Sequence, residues 1–277
     1  MAKNPKVKEP SDMMKQYLIT KEQYKDCVLF YRLGDFYELF NEDAVSMSRV
    51  LDLTLTGKDC GLDERAPMCG IPYHAAEGYI NKLISLGYKI AICEQLTAPE
   101  KGKIVKRDVV RVITPGTVVD TGVLDEKRNN YIVSIFQRNN HIGVSLCELT
   151  TGEFSIANYD GEDCFNNLND FLIRTMPSEI ICNANYQLSD LLTCVKVNMM
   201  PKFSDYDEKK YAKVTCDEIL SKYFGINYQT EFDIKDMPYG QIASGALLSY
   251  LEETQKRSLS ILKKLLSKNQ VIICKLI

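Results

Sequence analysis

The chain has little that marks an enzyme or a membrane protein. Only two histidines, His74 and His141, occur in its 277 residues. There is no G-x-x-x-x-G-K-[ST] loop, no H-E-x-x-H and no G-x-S-x-G, which removes P-loop nucleotide hydrolysis, zinc-protease chemistry and the serine-hydrolase elbow from the expected functions. No apolar run approaches the ~20 residues of a spanning helix. The lysine-containing stretch 1–10 lacks the hydrophobic centre of a signal peptide, so a cytoplasmic protein with no membrane partner is expected. No cysteine pair has C-x-x-C spacing. The ten cysteines (27, 60, 69, 93, 147, 164, 182, 194, 216 and 274) are scattered, mostly in apolar stretches such as Ile90-Ala91-Ile92-Cys93, as reduced, buried thiols would be. A strong charge of either sign is also missing. With 34 basic against 37 acidic residues the formal charge is -3, so any nucleic-acid binding must come from local patches.

What is present is 45% hydrophobic, enough for a sizeable core and, at this length, for two compact domains. After a polar arm (1–10), Ser11 can cap a helix that turns Met14, Tyr17, Leu18 and Ile19 to one side. Cys27–Leu33 reads as a buried strand that Gly34-Asp35 interrupts. Helical spacing continues in 42–51 and again through Tyr79, Ile80, Leu83 and Ile84, where Gly87 ends the helix before a strand at 89–93. Asp52–Thr56 alternates as a strand does. The apolar run Val109–Ile113 closes on Pro115-Gly116, and a first domain over 11–116 is followed by a charged linker, 117–130. A second domain, 131–238, opens with three strand-like runs (131–136, 142–149 and 153–157) that form a meander, then a helix at Cys164–Thr175 and a strand at Glu179–Cys182. From about Tyr239 a helical period returns through Ala243, Ala246, Leu247, Tyr250 and Leu251, so 239–277 reads as the start of a third, helical unit.

The segment Phe30-Tyr31-Arg32-Leu33-Gly34-Asp35-Phe36-Tyr37-Glu38-Leu39-Phe40 crowds aromatics, a turn and one carboxylate together. If 36–38 is extended, Phe36 and Glu38 share a face and Tyr37 takes the other. Spacing by itself fits Phe36 in a core and Glu38 on a solvated face. The segment, however, resembles the mismatch-recognition domain of the MutS family, whose Phe-x-Glu lies within G-D-F-Y-E-L-F. Further stretches resemble the same family in the same order: 66–75 (A-P-M-C-G-I-P-Y-H-A), 91–95 (A-I-C-E-Q), 109–117 (V-V-R-V-I-T-P-G-T) and 150–154 (T-T-G-E-F).

The resemblance implies an α/β chain: an α+β mixed-sheet recognition domain, an RNase H-like connector domain and a partial helical lever segment. It implies duplex DNA with mismatches or small unpaired loops as partner, with Phe36 wedging at the defective pair and Glu38 hydrogen-bonding the base. A MutL partner, homodimerisation, and ATP and Mg belong to the full-length family. The chain ends before the family's ATPase, so a monomeric, non-catalytic fragment without cofactor is expected, and 271–277 does not resemble the family.

An apolar ring that wedges into a base step pays an unstacking cost that is least where pairing is already defective. Met68 is a candidate apolar neighbour of Phe36. Phosphate contacts are expected from Lys58, in a glycine-containing loop, and from Lys106 and Arg107 in the basic run Lys101, Lys103, Lys106, Arg107 and Arg111; a solvated loop is the alternative. His74, in a turn-like setting, is expected to be a hydrogen-bonded structural residue. A rival reading makes the second domain a metal-dependent nuclease around Glu148, and a third makes the chain an inert fragment. Several converging carboxylates, which two-metal chemistry requires, cannot be assembled around Glu148 from the sequence.

Overall fold

In the computed structural model, residues 9–98, 102, 104–118, 129–183 and 201–256 are described. The chain divides into two compact units, one ending at Ile113 and the other beginning at Thr114. The first unit is a six-stranded sheet, β1 (Cys27–Leu33), β2 (Phe36–Phe40), β3 (Thr56–Lys58), β4 (Ala66–Pro72), β5 (Lys89–Gln95) and β6 (Arg107–Ile113), in the order β3-β4-β2-β1-β5-β6. Only β1 and β5 pair in parallel; their continuous apolar runs suit strands covered on both faces.

Helix α1 (Asp12–Gln23) lies on one face. Its cap Ser11 accepts a hydrogen bond from the Met14 amide (3.4 Å), which satisfies one of the amides the first turn leaves open. Met14 and Tyr17 enter a core of Cys27, Leu29, Tyr31, Phe40, Ala91, Cys93, Val109 and Val112. Leu18 and Ile19 were expected on that inner side but are exposed, because Met14, Tyr17 and Thr20 take the buried stripe. Helix α2 (Asn41–Leu51) packs on β2 and β4, and α3 (Ala76–Ser85) on β5. The strand expected over 52–56 is replaced by a helix end: Asp52 adopts the left-handed conformation (φ 56°) and the Leu53 amide donates to the Ser48 carbonyl (2.8 Å).

The second unit carries the expected meander, β7 (Tyr131–Arg138), β8 (His141–Glu148) and β9 (Glu153–Asp160), extended by two parallel strands, β10 (Glu179–Cys182) and β11 (Lys202–Asp205), in the order β11-β10-β7-β8-β9. Helix α4 (Cys164–Thr175) covers Val133, Ile135, Ile142 and Val144 on one face. Helices α5 (Lys213–Phe224) and α6 (Pro238–Gln255) cover Ile132, Cys147, Phe154 and Ile156 on the other.

This placement of α6 corrects the third-unit reading: Leu247, Leu248 and Leu251 are core residues of the second unit. The turn Pro115–Thr117, at the start of the expected linker, packs on β7 and β10. Glu179 ties these pieces together from a fully buried position. It accepts from the Thr114 hydroxyl (2.5 Å), the Gly116 amide (3.2 Å), the Ser204 hydroxyl (3.4 Å) and the Tyr250 hydroxyl of α6 (2.7 Å). Hydrogen bonds of this kind are what allow a carboxylate to be buried. The remaining residues assigned to the arm, the linker and the tail after 256, including 271–277, lie outside the described residues.

All eight cysteines among the described residues are buried and none is in a disulfide. Burial pushes the Cys69 thiol up to about 11 and that of Cys27 up to about 12, so both are protonated and unreactive at neutral pH.

Close approach of α6 to the sheet depends on Gly143, where a Cβ would lie 2.0 Å from the Tyr239 backbone. Gly143→Ala is expected to destabilise the second unit by roughly 1–3 kcal/mol or more through overpacking against backbone. Urea unfolding followed by circular dichroism would read this as a lowered midpoint, and an unchanged midpoint would contradict the packing described.

Candidate nucleic-acid interface

Alternation along β2 sets the site. Tyr37 and Leu39 are buried on the α2 side, whereas Phe36, Glu38 and Phe40 share the α1 side. Along that side burial changes sharply: Phe40 is fully covered, with its ring 5.0 Å from that of Tyr17, while Phe36 is 46% exposed. Helix α1 covers one end of the face and leaves the Phe36 end open.

The open end is held in place from several directions. Gly34 takes φ 59°, which a glycine adopts without strain, and its amide donates to Gln95 Oε1 (2.8 Å). The Tyr73 amide donates to the Asp35 carbonyl (2.9 Å). The Arg32 guanidinium sits 3.9 Å from the centroid of the Tyr73 ring. On the far face the Tyr37 hydroxyl donates to Glu94; burial first, and then this bond, push its phenol up to about 12. Phe36 pairs with Pro72 and Glu38 with Gly70 across β4. A Cβ on Gly70 would touch the Phe36 ring at 3.6 Å, so the absence of a side chain there keeps the ring's flank open.

Glu38 is mostly covered, its side chain 14% exposed, and both of its oxygens accept from Lys58 Nζ, at 2.8 and 2.5 Å. The two residues were singled out for separate tasks, twenty positions apart, and the fold joins them. Met68 is partly buried and pairs with Phe40 and Thr56; it packs against the core beneath α1 and is not paired with Phe36.

The basic run divides. Lys106 is exposed. Arg107 is turned inward, its Nε donating to the Arg32 carbonyl (2.8 Å) and its Nη1 to Gln16 Oε1 (3.3 Å) and the Val105 carbonyl (3.1 Å), with the guanidinium 5.3 Å from the Tyr31 ring centroid. These bonds make Arg107 a brace between α1, β1 and β6. Lys101 and Lys103 lie outside the described residues. His74 is exposed, its ring against that of Tyr73 (5.8 Å), and among the described residues it is not tied in by side-chain hydrogen bonds as expected.

Glu148, the acid of the nuclease reading, is 2% exposed and closes the turn after β8. It accepts from the Thr150 amide (3.1 Å), the Thr150 hydroxyl (2.7 and 2.8 Å) and the Thr151 amide (2.6 Å). Burial by itself would raise its pKa, but these bonds outweigh burial and hold the carboxyl below its ordinary value. Among the described residues no group of three or more His, Cys, Asp or Glu side chains is placed to hold a metal ion, and no helix is long and apolar enough to cross a membrane.

Comparison with known proteins gives one family. A model of MutS domain I matches residues 11–122 and a model of MutS domain II matches residues 130–263. The chain is 49% identical over 253 residues to the DNA mismatch repair protein MutS of Acetivibrio thermocellus, a match that covers 90% of this chain and 28% of the relative. It is 47% identical over 250 residues to the protein of the same name from Lachnoclostridium phytofermentans, covering 90% and 26%. For that of Ruminiclostridium cellulolyticum the identity is 48% over 254 residues, covering 91% and 29%. The chain thus spans less than a third of the length of these relatives.

The Glu148 turn has a consequence for acid stability. Its folded-state pKa is lowered, so its contribution is complete above the ordinary carboxyl value of 4.5 and is lost as pH falls below that toward the folded-state value. Glu148→Gln is expected to cost about 1–3 kcal/mol at pH 7, and the difference from wild type should shrink below pH 4.5. Urea midpoints from pH 7 to 3 test this; a difference that does not change with pH would remove the carboxylate from the account.

Proposed function

Because the chain belongs to the MutS family, of which it carries domains I and II, we propose that it binds duplex DNA at mismatched or unpaired bases, with the first unit as the reader. Phe36 enters the base stack at the weak point and Glu38 accepts a hydrogen bond from the exposed base edge. The observation that carries this reading is the exposure of Phe36, a large aromatic on a rigid strand, at the one end of its sheet face that α1 leaves open. A ring so placed loses little freedom on insertion, and the unstacking it causes is least costly where pairing has already failed.

Lys106 supplies a phosphate contact that holds the duplex without reading its sequence. In this reading the chain makes and breaks no bond and needs no cofactor; ATP and Mg serve the family's ATPase, which its domains I and II do not include. The second unit acts as the connector. A MutL partner and homodimerisation follow from the family resemblance. The nuclease alternative has no observation in its favour, since the hydrogen bonds of Glu148 are engaged in closing a turn.

The test is fluorescence anisotropy on G·T-mismatched, single-base-unpaired and fully paired duplexes at low and physiological salt. Wild type should prefer the defective duplexes. Phe36→Ala should lower affinity for them by roughly tenfold, the scale of removing a wedge contact worth a few kcal/mol or less, with the salt dependence unchanged. A Phe36→Ala protein that keeps the preference would refute the reader.

A further inference from the structure

Lys58 poses a question that the reader leaves open. A carboxylate placed to touch a base stands among phosphates, and phosphates repel it. Glu38 is nevertheless built into the reading face, with its side chain only 14% exposed and its two oxygens 2.8 and 2.5 Å from Lys58 Nζ. Among the described residues the Glu38 side chain makes no other hydrogen bond or ion pair. Lys58 ends the three-residue edge strand β3, with its side chain 34% exposed and its ammonium 5.9 Å from the Phe40 ring centroid. Its cation is therefore laid back over the sheet toward Glu38.

We infer that Lys58 is the positioning residue of the reader: its ammonium neutralises Glu38 and fixes the carboxylate beside Phe36, so that a site containing an acid can approach a polyanion. This rests on the reader proposed above and replaces the phosphate contact first expected of Lys58. A phosphate contact would draw the ammonium off the carboxylate at the moment the phosphates arrive. Held in place, the pair presents no net charge to the duplex, and each carboxylate oxygen keeps a lone pair for a base N–H, since a carboxylate has about four acceptor sites. The acid can then discriminate among bases without lowering affinity for DNA as a whole.

The two roles of Lys58 differ in how they depend on Glu38. A phosphate contact contributes the same whether position 38 is Glu or Gln, and its loss lowers the salt slope by about one. A counter-cation matters only while position 38 carries charge. The experiment is a double-mutant cycle in the 277-residue chain, using anisotropy on duplexes with and without a single unpaired base over a salt series, with wild type, Glu38→Gln, Lys58→Met, Glu38→Gln/Lys58→Met, Lys58→Arg and Phe36→Ala. Lys58→Met is expected to weaken binding to the unpaired-base duplex about tenfold, the scale of coupling between contacting charges. In the Glu38→Gln background the same change should cost no more than about twofold, and Lys58→Arg should restore binding to within about threefold of wild type.

Equal costs in both backgrounds with a reduced salt slope would overturn the inference and return Lys58 to the phosphates. If this occurs while Phe36→Ala abolishes the preference, the reader stands and only the role of Lys58 falls. A Phe36→Ala protein that retains the preference removes both, as does a folded wild-type chain that binds none of the duplexes at low salt. Recovery of binding in the double variant relative to Lys58→Met would show that the Lys58→Met protein had not simply failed to fold.

Discussion

Strand β2 is hydrogen-bonded to β1 on one side and β4 on the other, so it cannot slip by one residue without exchanging the faces of Phe36 and Tyr37. The slip would bring the Tyr37 hydroxyl out of reach of Glu94 and move Leu39 and Phe40 out of separate cores. Everything at the candidate face depends on this register. It sets Phe36 and Glu38 side by side, places Gly70 opposite Glu38 and Pro72 opposite Phe36, and puts Phe40 under Tyr17. The exposed ring is therefore the free end of a packed row, which is why it can be apolar, solvent-facing and rigid at once.

Much of this was legible from local sequence. The continuous apolar run of β1, the break at Gly34-Asp35, the helix over Cys164–Thr175 and the meander after Tyr131 follow from periodicity and turn chemistry, signals that act over a few residues. The same logic put Phe36 and Glu38 on one face. It failed where a local signal had two readings. Alternation in 52–56 resembled a strand, but Asp52 was needed in the left-handed conformation to end α2. The 66–72 stretch, which carries two prolines and showed no strand period, is a strand, with Pro67 opposite Gly57 on the short β3 and Pro72 at the strand's end. Leu18 and Ile19 suggested an inner stripe that Tyr17 and Thr20 occupy instead.

The contacts that define the candidate site were the least legible. Glu38 and Lys58, Gly34 and Gln95, and Arg107 and Arg32 are 20, 61 and 75 residues apart. No helical or strand period links such positions, and only the assembled sheet brings them together. Charge type alone does not separate Arg107 from exposed Lys106, which look alike in sequence, while a fork of donors suits Arg to bracing carbonyls. The second unit has the same character. Glu148 and Glu179 are acids that a motif search could take for metal ligands, and hydrogen bonding makes the first a turn cap and the second the pin between the Thr114–Thr117 turn and α6.

The central claim is that an exposed ring on a register-locked strand enters the base stack where pairing has failed. Its most direct measurement is the fluorescence of 2-aminopurine placed beside a single unpaired base, titrated with the folded chain. Insertion of Phe36 unstacks the neighbouring base, so emission should rise on binding to the defective duplex and stay flat on a fully paired duplex bound to the same extent. Saturated binding to the defective duplex with no change in emission would mean that the stack stays intact, and the wedge would have to be abandoned.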